Sequence, residues 1–146
     1  MKSAHQKDLR KGRFSNKNQI YHITFTTSNR SPIFSDFSKA RILIRILKQS
    51  DQQQSTKTLA FVIMPDHMHW LMQIAGSQSL QNIIKTVKSK TSIRLAQRIW
   101  QAGYYDHAIR QEEDMQTIAR YIVANPIRAG LVNKVSDYPH WDAIWL

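Results

Sequence analysis

The 146-residue sequence contains no cysteine, so disulfides, thiolate metal sites and thiol nucleophiles are excluded. No run of apolar residues approaches the roughly 20 needed to cross a bilayer as a helix. Residues 1–18 are basic and polar, without the apolar stretch of a secretory signal. These absences lead to the expectation of a soluble, cytoplasmic protein with no membrane partner. Acidic charge is also scarce: 10 Asp and Glu stand against 21 Lys and Arg, leaving +11 with the histidines neutral and a pI near 10.2. An excess of this size on a small chain favours a polyanionic partner, because neutralising phosphates releases counterions. A solvated basic surface with no partner is the competing explanation.

With 42% hydrophobic residues the chain is long enough to bury a core and short enough to remain one domain. Residues 1–18 read as a basic, flexible N-terminal arm carrying Arg13 among its six cations, able to settle on nucleic acid or simply to stay loose. Residues 19–146 read as a single domain. Gln19 to Thr27 is rich in β-branched and aromatic types, with Tyr21, Ile23 and Phe25 on one face, and forms a first strand. A helix follows, capped by Ser35 or Asp36, with Phe37, Ala40, Leu43, Ile44 and Leu47 at helical spacing. Leu59 to Met64 and His67 to Ile74 make a hairpin around Pro65 and Asp66. A long helix spans about Ser79 to Trp100, with Lys85, Lys88, Lys90, Arg94 and Arg98 largely outward, and is either a phosphate-contacting face or a solvated one. Tyr104 to Arg110 reads as a short fourth strand. The last helix opens with Glu112, Glu113 and Asp114 against the positive end of its dipole and runs until Pro126. This order predicts an α+β, ferredoxin-like sandwich: an antiparallel sheet of about four strands with helices on one face, plus a C-terminal helix.

The most informative segment is Met64-Pro65-Asp66-His67-Met68-His69-Trp70-Leu71-Met72. In a strand His67 and His69 share one face while Met68, Trp70 and Met72 take the other, so two imidazoles can grip one metal in front of an apolar back. A further ligand and a nucleophile are available on the last helix, where Tyr121 and Asn125 are four residues apart and hence neighbours. If that helix lies near the histidine strand, Asn125 can offer its amide oxygen to the metal and Tyr121 its phenol to a phosphate. Two imidazoles and an amide oxygen suit Mg or Mn, with Zn also possible. Taken singly, each residue also has a bland reading: a paired surface histidine, a wetted core-rim tyrosine, and an asparagine that ends a helix before proline.

The segments Val62 to His69, Lys88-Ser89-Lys90-Thr91, Tyr105 to Arg110 and Tyr121 to Leu131, in that order, resemble the REP-associated tyrosine transposases of the HUH single-tyrosine superfamily. The resemblance spans roughly Tyr21 to Trp141. It implies a nuclease and strand transferase acting on single-stranded DNA at hairpin-forming repeats, as a monomer or homodimer. By motif match it implies His67 and His69 as metal ligands, Asn125 as the third, and Tyr121 as the nucleophile that becomes linked to a 5′ phosphate. Arg110 lies in a matching motif and joins Lys85, Lys88, Lys90, Arg94 and Arg13 as candidate DNA contacts. Two other classes remain open on the residues alone. A non-catalytic nucleic-acid binding module would stack bases on sheet aromatics and need no metal. A metal hydrolase would use the histidines to activate water and leave no protein on the DNA.

Overall fold

The structure is a computed structural model and describes residues 17–110 and 114–145; residues 1–16 of the basic arm, including Arg13, and the residues at 111–113 lie outside them. Strand β1 (Ile20–Thr26) leads through two 3-10 turns into α1 (Phe37–Gln52). Of the two expected caps Asp36 is the one used, its Oδ1 accepting from the Lys39 amide at 3.2 Å. Strands β2 (Thr56–Ile63) and β3 (His67–Ile74) form the expected hairpin, closed by the Met64 amide donating to the His67 carbonyl at 2.7 Å. The Ser79 hydroxyl caps α2 (Leu80–Leu95), and β4 (Tyr105–Ala108) follows. Asp114 caps α3 (Met115–Val123) by accepting from the Gln116 amide at 3.0 Å. A single turn, α4 (Asn125–Arg128), and a short strand, β5 (Trp141–Ala143), complete the order.

The five strands form one sheet in the order β4-β1-β3-β2-β5, and every pairing is antiparallel. Alternation along β3 divides the molecule into two layers. Met68, Trp70, Met72 and Ile74 point to a face covered by α1 and α2, where they join Ile23, Phe25, Phe61 and Ile63 in the larger core. Trp70 is fully buried there, its indole N–H donating to Thr58 Oγ1 at 2.9 Å. The opposite face carries Leu71, Val62 and Met64 against Ala119, Ile122 and Val123 of α3. An irregularity in β2 between Thr58 and Ala60 places Leu59 and Ala60 together in this second cluster.

Several boundaries differ from the sequence-based expectation. The sheet has five strands rather than about four, because β5 adds to the free edge of β2 through Val62 and Trp141. The helix expected to reach Trp100 ends at Leu95, where Ala96 takes a left-handed φ of 56°; Ile99 and Trp100 continue the apolar spacing, but Trp100 instead bridges Thr27 beside β1. Pro126 stops α3 as expected and then serves in the first turn of α4.

Candidate functional site

His67 and His69 lie on the half-open face of the sheet, with ring centroids 5.1 Å apart and planes at 85°. Each ring is held by its Nδ1. His67 Nδ1 is 2.8 Å from Asp66 Oδ1, while Asp66 Oδ2 accepts from Arg30 Nε at 3.0 Å. Burial pushes the Asp66 carboxyl up, but the hydrogen bonds and charges of His67 and Arg30 outweigh it and hold that group below its usual range. A carboxylate can only accept at Nδ1, so it favours the tautomer whose N–H lies there and whose Nε2 carries the lone pair.

His69 is held by β1. Register places Thr24 opposite His69 and His22 opposite Leu71, so His22, Thr24 and His69 share a face. His69 Nδ1 is 3.0 Å from both His22 Nε2 and Thr24 Oγ1. Burial, with the neighbouring His22, His67 and Arg128 charges, pushes His69 down to about 3. Burial and His107, which is paired with His22 across β1 and β4, push His22 down to about 4. Both rings are therefore neutral at neutral pH, and the His69 tautomer that donates from Nδ1 to His22 and Thr24 is the one that frees Nε2 for a metal. Two imidazoles, close together and each tied at Nδ1, form a donor set suited to a divalent ion. Among the described residues no three His, Cys, Asp or Glu are placed to hold one metal ion, so a third ligand drawn from them would be of another kind, such as the amide of Asn125.

The apolar stripe of α3 fixes where Tyr121 lies. Ala119, Ile122 and Val123 pack on Leu71 and Val62, and Val62 pairs with His69, so the helix rides on the histidine face. Tyr121 is left 57% exposed. Arg128 reaches back from α4 to place its guanidinium carbon 3.7 Å from the Tyr121 ring centroid, and the same charge bears on His69. Asn125 is half-buried at the junction of α3 and α4.

The candidate DNA contacts on α2 do not gather at this site. Lys85 and Arg94 are exposed on α2, a helix that covers the other face of the sheet. Lys90 donates to Gln49 Oε1 at 2.9 Å, tying α2 to α1. Lys88 donates to the carbonyls of Gln101 and Gly103, with its ammonium 5.5 Å from the Phe25 ring; burial pushes it down to about 8. It fastens the segment after α2. Arg110 is exposed just beyond β4.

His22, Thr24, Asp66, Arg30 and Arg128 escaped the reading of the sequence as parts of this site. The signal for two of them was present: His22 and Thr24 alternate with Tyr21, Ile23 and Phe25, with the same two-residue period that singled out His67 and His69. Arg30 and Arg128 carried no such signal, since their placement depends on a turn and on a helix break.

Residues 15–125 match the family described as IS200-like transposases. A REP-associated tyrosine transposase of Escherichia coli is 33% identical over 82 residues, covering 55% of this chain and 50% of that protein. A Haemophilus influenzae protein provisionally named for the same group is 29% identical over 109 residues, covering 64% of this chain and 62% of its own length. The match thus spans only half to three-fifths of these relatives. The solved structure of a REP-associated tyrosine transposase bound to a REP hairpin superposes with a TM-score of 0.76, at 24% identity, over 88% of this chain and 79% of that one. It shares the fold.

Proposed function

The chain belongs to the IS200-like transposase family, and from that membership we propose that it is a metal-dependent single-stranded DNA endonuclease and strand transferase acting on hairpin-forming repeat DNA through a covalent 5′-phosphotyrosine on Tyr121. The observation that carries the reading is the pair His67 and His69, each with its Nδ1 engaged by a neighbour, on the sheet face packed by α3, the helix that carries Tyr121. The names of the relatives, a REP-associated tyrosine transposase among them and one bound to a REP hairpin, agree with this substrate class.

His67 and His69 would hold the ion, with Asn125 as the third protein ligand; Mg and Mn are the candidates whose hardness suits that mixed set. When bound, the ion supplies Lewis-acid polarisation of the scissile phosphate. Asp66 keeps the His67 ring oriented, and His22 with Thr24 does the same for His69. The Tyr121 Oη forms a bond to phosphorus as the bond from phosphorus to the 3′ oxygen breaks. The phenol proton passes to solvent and the departing 3′ oxygen takes one up. One phosphodiester replaces another, so the later attack of a 3′ hydroxyl on the phosphotyrosine can rejoin DNA without an external energy source. Tyr121 is exposed enough to meet a strand arriving from solvent.

The test is incubation of a single-stranded hairpin oligonucleotide with the protein and Mn or Mg, followed by denaturing electrophoresis. A protein-linked DNA band is expected that disappears in Tyr121→Phe, while oligonucleotide binding changes by less than about threefold, the loss of one rim hydroxyl being a small term. An undiminished band in Tyr121→Phe removes Tyr121 from the mechanism, and cleavage without any linked protein transfers the attack to water.

A further inference from the structure

Tyr121 and Arg128 stand seven residues apart, two helical turns, yet no single helix joins them. Helix α3 ends at Val123 and α4 starts at Asn125, with Pro126 in its first turn. The end of α4 is closed firmly: Gly130 takes a φ of 76°, its amide donates to the Ile127 carbonyl at 3.0 Å, and the Leu131 amide donates to the Pro126 carbonyl at 2.9 Å. This paired arrangement around a left-handed residue is a strong helix stop. A surface arginine on a flexible terminus would extend into water. Arg128 is instead delivered from a fixed turn and folds back over the Tyr121 ring at 3.7 Å.

Its company is unusual for an arginine. Among the described residues no carboxylate pairs with it, so its charge has no counterion among them. Its neighbours are a tyrosine ring and, within electrostatic reach, the neutral imidazole of His69. A guanidinium stacked on an aromatic face keeps all five N–H donors in its own plane, directed outward past the ring edge and available to an oxyanion. Lysine cannot do both at once.

We propose that Arg128 clamps the nucleophile to its target, fixing the Tyr121 ring by stacking while its free N–H edge takes the non-bridging oxygens of the scissile phosphate. This rests on the reading of Tyr121 as nucleophile. Stacking restricts a side chain that is otherwise more than half exposed, and the fork sets the phosphate beside the same ring. As the bond from Tyr121 Oη to phosphorus forms and the bond to the 3′ oxygen breaks, negative charge on the equatorial oxygens grows, and a donor fixed against them stabilises that state more than the bound substrate.

The experiment is single-turnover formation of the protein-linked DNA product with a hairpin oligonucleotide and Mn, for the wild-type chain, Arg128→Ala and Arg128→Lys. Arg128→Ala is expected to slow the step by about 30- to 100-fold, in the range for losing one positioned donor to a developing oxyanion, while oligonucleotide affinity without metal falls by less than about threefold. Arg128→Lys recovers little, since it restores charge without the stack. Free guanidinium ion speeds Arg128→Ala and leaves the wild-type rate unchanged, a response that a loosened helix end would not give. Wild-type rates in Arg128→Ala overturn the proposal, as does a slow variant with a lowered Tm and no response to guanidinium. A wild-type chain that forms no linked product overturns the nucleophile reading instead, and this proposal with it.

Discussion

The two faces of the sheet are built from the same strands and do opposite work. On the face under α1 and α2, Met68, Trp70 and Met72 are completely buried among apolar neighbours. On the face under α3, the interleaved His67 and His69 keep partial contact with solvent, and each spends one ring nitrogen on a neighbour. Helix α3 covers only part of that face, through a short apolar stripe. Stability therefore resides mainly on one side and the proposed ligands on the other, separated by the thickness of one strand. A two-residue period suffices to segregate them, since each step along β3 crosses the sheet.

Adjacent substitutions break this comparison most sharply. His67→Ala is expected to reduce formation of the protein-linked DNA to background while shifting the metal-free Tm by no more than about 2 °C, because a half-buried surface ring contributes little to the core. Met68→Ala, one residue on, is expected to cost about 2–5 kcal/mol by leaving a cavity under α1 and α2, read as a lower urea midpoint. The fraction that stays folded should still form the product at the wild-type rate. Equal stability losses for the two variants would mean that the faces are not separable.

A smaller effect sharpens the claim on the histidine side. His22→Ala removes one of the two groups that orient His69, and second-layer partners of this kind typically change metal affinity by about 10- to 100-fold. Calorimetric titration with Mn should show that weakening, and saturating metal should restore most of the rate. An unchanged affinity would assign His22 to packing alone. The smallest effect is expected on α2: Lys85→Ala with Arg94→Ala removes two exposed cations behind the sheet, and should leave the single-turnover rate unchanged while lowering the salt slope of binding by less than about 2. A large rate loss there would show DNA wrapping to the far face.

Much of this division was legible in the chain. The alternation around His67 marks both faces of β3, Asp36 is one of the two caps read for the first helix, and Ser79 stands at the start read for the second, whereas Asp114, read as part of the last helix's first turn, caps it from outside. Family membership followed from segments scattered over most of the sequence. What periodicity could not supply depends on tertiary contact. The three-residue β5 has no pattern of its own and exists because β2 offers an edge. Ile99 and Trp100 keep helical spacing yet belong to a segment that packs on Phe25 and Phe34. The pairing of His22 with His69 depends on strand order, and the meeting of Arg128 with Tyr121 on a helix break, neither of which is encoded by local spacing. Lys88 has the sequence of a surface cation but turns inward to cap a loop.

The central claim is that His67, His69 and Tyr121 act on one phosphate. It is tested most directly by digesting the covalent product formed with Mn and a hairpin oligonucleotide, and identifying the DNA-bearing peptide by mass spectrometry in the wild-type chain and in His67→Ala. The expected result is a single modified peptide, bearing a 5′ phosphate on Tyr121 and absent from His67→Ala. Attachment at Tyr105 or another tyrosine, or the same Tyr121 peptide in undiminished yield from His67→Ala, would contradict it.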